Sequence, residues 1–86
     1  MIATASNITT ETTVFTCPAN KKAIAEIYLC SNDSAETILK INDIVCVSMP
    51  LSTTLSIKLI LEAGDTVKVS SPVSGSVNVI ISGLLI

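Results

Sequence analysis

Thr54-Leu55-Ser56-Ile57-Lys58-Leu59-Ile60-Leu61-Glu62 alternates with a period of two: Leu55, Ile57, Leu59 and Leu61 fall on one side, and Ser56, Lys58, Ile60 and Glu62 on the other. Side chains point to opposite faces along a strand, so this pattern buries one face and leaves the other mostly polar. A helix would scatter the same residues around its circumference. The run stops at Ala63-Gly64-Asp65, where glycine accepts the positive φ of a tight turn.

The same reading extends in both directions. Downstream, Thr66–Ser70 places Val67 and Val69 inward, Ser71-Pro72-Val73-Ser74-Gly75 reads as a loop, and Ser76–Ser82 is a last strand with Val77, Val79 and Ile81 inward. Upstream, Glu11–Cys17 is β-branched and stops at Pro18, before a turn over Pro18–Lys22. Ala23–Ser31 puts Ala25, Ile27 and Leu29 on one face, with Ile24, Glu26, Tyr28 and Cys30 on the other. After the turn residues Asn32-Asp33-Ser34-Ala35, a strand is expected over Glu36–Ile41, with Thr37, Leu39 and Ile41 on a common face. Asn42-Asp43 is a two-residue turn without the usual glycine, and Ile44–Met49 follows it and ends at Pro50. Residues 1–10 lack a period and are expected as an N-terminal arm, loose or laid against a neighbour, with 11–86 as the folded domain. About seven short strands at spacings of roughly 8 to 12 residues predict an all-β, single small antiparallel β-sandwich of jelly-roll-like form.

At 86 residues the chain has room for one domain, and domains of this size bury a smaller share of their surface than larger ones. Three cysteines supply no closed disulfide framework. With 49% hydrophobic and 14% charged residues and a mean hydropathy of +0.70, the chain is apolar for its size. Burial against other subunits is the expected supplement. Charges interrupt every apolar run before the ~18 to 20 residues a spanning helix needs, so no membrane association is expected. Met1–Asn7 does not read as a secretory signal, and folding in a reducing cytoplasm is the expectation. On that basis the sequons at Asn7 and Asn32 read as unmodified.

Catalysis lacks its usual means. There is no histidine, so no ordinary general base and no Ser-His or Cys-His pair can form. The seven acids lie mostly in turns and at strand ends, where they read as solvated. Cys17, Cys30 and Cys46 have neither a close spacing nor a histidine to complete a zinc site. Cys30 and Cys46 are expected to be small buried hydrophobes and Cys17 to be partly exposed. No catalytic residue, metal or cofactor is expected. Five scattered lysines, no arginine and only Phe15 and Tyr28 as aromatics exclude a recognisable nucleic-acid surface. The anomalies are apolar residues in polar company: Ile60, Ile80 and the terminal Leu84, Leu85 and Ile86 are expected at a subunit interface.

The order Val14-Phe15-Thr16-Cys17-Pro18-Ala19-Asn20-Lys21-Lys22, then Ser31–Thr37, then Leu59-Ile60-Leu61-Glu62-Ala63-Gly64-Asp65-Thr66-Val67-Lys68-Val69, then Gly75–Gly83 resembles small β-sandwich proteins of tailed-bacteriophage particles. The likeness spans about residues 12 to 84, and its distinctive stretches are the Cys-Pro-Ala corner and the Leu-Glu-Ala-Gly-Asp turn. Members of that group serve as capsid cement or decoration proteins, or as parts of tails and fibres. The resemblance implies a virion structural protein, made in a bacterial host's cytoplasm and acting by association. The expected role is a capsid cement subunit, a homo-oligomer in trimeric form, bound to the major capsid protein or other virion subunits. A neck, tail or fibre component is the alternative in the same class. A carbohydrate-binding adhesion module is the alternative in another, although two aromatics leave little for a sugar ring to stack on.

Overall fold

The computed structural model describes residues 2–31, 35–51, 54–71 and 76–86. The expected turn at Asn32–Ser34 and most of the expected 71–75 loop lie outside the described residues. Eight strands follow in order: β1 Ala3–Ile8, β2 Thr12–Thr16, β3 Ala23–Cys30, β4 Ala35–Ile41, β5 Ile44–Leu51, β6 Thr54–Leu61, β7 Thr66–Ser70 and β8 Val77–Leu85. They form two antiparallel four-stranded sheets, β1-β8-β3-β6 and β2-β7-β4-β5. The hairpin partners nest: β1 with β8, β2 with β7, β3 with β6 and β4 with β5, alternate pairs falling in alternate sheets. This is the winding of a jelly roll, a long hairpin folded over on itself.

The count is eight rather than seven, because the segment expected as an arm contains an edge strand. Ala3 pairs with Ile81 and Ala5 with Val79, and Ile2 N–H donates to the Ile81 carbonyl at 2.7 Å. Asn7, at φ 55°, breaks the alternation with a bulge, and its N–H is satisfied by the Asn78 side chain at 2.9 Å. Two other boundaries move. β5 runs through Pro50 to Leu51, which an edge strand permits because the missing N–H can face away from the ladder. β8 runs past Ser82 to Leu85, and Lys22 and Ile86 exchange two main-chain hydrogen bonds of 2.8 Å just beyond it.

The alternation seen in the sequence fills the space between the sheets. Ala25, Ile27 and Leu29 from β3, Leu39 from β4, Val67 and Val69 from β7, and Val77, Val79 and Ile81 from β8 are all buried. On β6 only Leu61 is fully covered, while Leu55, Ile57 and Leu59 are half-buried, because β6 is an edge of its sheet. Buried polar groups are paired: the Ser71 hydroxyl donates to the Glu36 carbonyl at 2.9 Å, and no buried side-chain nitrogen or oxygen among the described residues lacks a partner.

Turn chemistry fixes one end of the sandwich. Asn42 and Asp43 both take positive φ, 52° and 64°, giving the primed two-residue turn that suits the twist of a hairpin. Asn42 then ties this turn to the start of β7. Its Nδ2 donates to Asp65 Oδ1 at 2.8 Å, and its Oδ1 accepts from Thr66 N–H at 3.0 Å. Asp65 Oδ2 also accepts from Glu62 N–H at 2.8 Å, and the Asn42 and Glu62 donors hold the Asp65 carboxyl below the usual range. Asp43 is likewise lowered by the Lys68 ammonium at 2.6 Å, and Lys68 is raised in turn. For both aspartates the folded pKa lies below the unfolded value of about 3.9. Their contribution is therefore complete above that pH and is lost as pH falls through the folded values. The melting temperature should decline below about pH 4, less steeply in Asp65→Asn. A flat acid profile, or an unchanged slope in the variant, would show that this corner does not couple to folding.

Candidate interaction surface

Strand pairing brings three apolar side chains into one row on the outer face of the β1-β8-β3-β6 sheet. Ile24 of β3 lies opposite Ile60 on one side and opposite Leu84 on the other. Residues directly opposed across a ladder share a face, so the order is Ile60, Ile24, Leu84 across three strands. Ile60 and Leu84 are each 63% exposed and Ile24 is 47% exposed. The next level of this face is polar, with Glu26 between Lys58 and Ser82, and Tyr28 O–H donates to Glu26 Oε1 at 2.8 Å. That hydrogen bond is the main cause that raises the Tyr28 pKa, with burial adding to it. A shallow depression of about 560 Å³ lies between the row and this polar level, lined by Ile24, Ile60, Glu26, Lys58, Ser82 and Gly83 among others.

Gly83 makes the third strand of the row possible. Its φ is +143°, and a Cβ there would stand 1.9 Å from the Ile24 carbonyl oxygen. The absence of a side chain lets β8 close on β3 and carries Leu84 to its place beside Ile24.

The five residues expected at an interface are all exposed, but they do not form one patch. Ile60 and Leu84 belong to the row. Ile80 lies four residues back along β8, opposite Tyr28 and Thr4, with the Glu26 level in between. Leu85 pairs with Ala23 and so shares the core-facing side, at the rim of the sandwich. Ile86 is tied to Lys22 through its main chain. The terminus is thus part of the sheet, and removing residues 84–86 would damage the fold as well as the surface.

Sequence reading missed Ile24, the centre of the row, although its place on the mixed face of β3 was visible. It also missed Ile44, Val45 and Met49, which β5 exposes. On β5 the regular alternation is broken by a bulge: Leu39 pairs with Val47 but Lys40 pairs with Val45, leaving Cys46 as the extra residue.

The cysteines reverse their expected order. Cys46, the bulge residue, is exposed, and Cys30 is half-buried on the outer face with its sulfur 3.5 Å from the Thr54 hydroxyl. Cys17 is buried, because the corner at Pro18 folds over it. Its thiol points at the carbonyls of Lys21 (3.5 Å) and Leu61 (3.8 Å), and its main chain bonds to Gly64 and Asp65. Among the described residues no group of three or more cysteine or acidic side chains converges, and no helix is long and apolar enough to cross a membrane. Compared with known proteins, the chain matches no family model, no curated protein and no solved structure.

Proposed function

We propose that the protein is a non-enzymatic structural subunit of a virion, of the capsid cement or decoration type, which holds a shell together by association with its own copies and with the major capsid protein. The observation that supports this reading is the exposed row of Ile60, Ile24 and Leu84, contributed by three adjacent strands of one sheet. A row of large aliphatic side chains in water is unfavourable, and covering it gains roughly 25 cal/mol per Å² before the costs of association. A jelly roll serves many purposes and does not choose among them. The virion assignment draws instead on the sequence resemblance, and the row supplies the means of contact. Single contacts of this size are weak, but repeated around a shell they add by multivalency. The polar level of Glu26, Lys58 and Ser82 beside the row would form the rim of such a contact, where charges steer and orient more than they bind.

The test is the amount of this chain in purified virus particles, measured against the major shell subunit. A copy number comparable with that subunit is the expected result. A small fraction of it would indicate a neck, tail or fibre part, and absence from particles would overturn the virion assignment.

A further inference from the structure

The four sheet edges are not alike. β1 carries a bulge between Ala5 and Ile8, β2 carries one between Thr13 and Phe15, and β5 carries the Cys46 bulge together with Pro50. Bulges and prolines are the devices by which edge strands avoid pairing with other chains. β6 has neither. All eight of its residues, Thr54 to Leu61, pair with β3 in unbroken register, and among the described residues its other edge has no strand beside it. Its inward side chains Leu55, Ile57 and Leu59 are only half-buried, although every one belongs to the core face.

From Leu55 to Leu59 the apolar alternation of β6 is symmetric about Ile57. Laid antiparallel to a second copy with a two-fold axis at Ile57, Leu55 meets Leu59, Ile57 meets Ile57, Ser56 meets Lys58 and Thr54 meets Ile60. On the core-facing side apolar side chains then face apolar ones across the ladder, and on the other side the single charge of the strand, Lys58, faces a hydroxyl. Two neighbouring registers are worse. An axis at Lys58 would set two ammonium groups opposite each other, and a slip of one residue would set Leu55, Ile57 and Leu59 against Ser56, Lys58 and Ile60. Among the described residues Lys58 has no ion-pair partner, whereas Lys22, Lys40 and Lys68 each have one.

From the unguarded edge and its self-complementary charge pattern, we infer that two copies of this chain pair through β6, antiparallel about Ile57, to make one continuous eight-stranded sheet. This specifies the self-association in the proposed function and rests on that part of it, with two-fold symmetry in place of the trimer expected from sequence. Both rows of Ile60, Ile24 and Leu84 would lie on the same face of the joined sheet, free to meet a shell.

Ser56 is exposed, which permits a test that leaves the core alone. Ser56→Glu places two Glu–Lys58 pairs across the axis, and Ser56→Lys places two Lys–Lys58 pairs there. By sedimentation over a concentration series, with circular dichroism to verify the fold, the native chain should form a dimer. Ser56→Glu should tighten it by about tenfold and Ser56→Lys should loosen it by a similar factor, the difference shrinking in high salt. Equal or same-direction effects of the two variants would overturn the pairing, as would association that requires another virion chain. Either result leaves the Ile24 row untouched, so the pairing and the shell contact fail independently; a native chain that never self-associates overturns the pairing and the self-association it rests on.

Discussion

Gly83→Ala should destabilise the protein by at least about 3 kcal/mol, with the damage centred where β8 meets β3. The added methyl would stand 1.9 Å from the Ile24 carbonyl oxygen and 2.9 Å from its carbon, and these are main-chain atoms that cannot swing aside. At φ +143° the residue would also occupy a region that side chains disfavour, at about 1–3 kcal/mol by itself. Relief requires the end of β8 to leave the ladder, and with it go the pairs Ala23 to Leu85 and Ile24 to Leu84. Gly64→Ala is the comparison. Gly64 has φ +86° but open space where a Cβ would lie, so only the backbone strain remains, at about 1 kcal/mol. Denaturation midpoints should rank native, Gly64→Ala, Gly83→Ala in falling order. The reverse order of the two glycines would mean that β8 does not approach β3 as described.

Ile27→Ala should cost about 2–5 kcal/mol. Ile27 is fully buried at the middle of β3, opposite Ile57 of β6 and Ile81 of β8, so three strands line the space it would vacate. A domain of this length has a total stability on the order of 4–13 kcal/mol, so the variant should be partly unfolded or melt far lower. A loss below about 1 kcal/mol would show that the sheets collapse into the space, which a well-packed sandwich interior should resist.

The sequence made the interior legible and left the edges obscure, for a physical reason. Ala25, Ile27, Leu29, Val67, Val69, Val77, Val79 and Ile81 sit where alternation puts them, because a strand paired on both sides must keep its period of two. Bulges break that period and occur on strands with one neighbour. Asn7 hid β1 in an unpatterned stretch, and without β1 the nesting that pairs it with β8 could not be seen. The Cys46 bulge likewise turned a residue expected in the core outward. For the surface, Ile60 and Leu84 were visible as apolar residues in polar positions. That they meet at Ile24 depends on the register of three strands, which no single strand records. The close approach at Gly83 was equally invisible, because a glycine near a strand end looks the same whether it terminates the strand or permits contact.

In the proposed function the Ile60, Ile24 and Leu84 row is the contact surface on a particle. Ile24→Lys tests it, since Ile24 is the middle of the row and its side chain is about half exposed. The measurement is the occupancy of this variant on virus particles relative to the native chain, alongside its melting temperature in isolation. The expected result is an unchanged melting temperature and occupancy reduced at least tenfold, because a lone ammonium buried in an apolar contact costs several kcal/mol. Native-level occupancy of a folded Ile24→Lys subunit would contradict it.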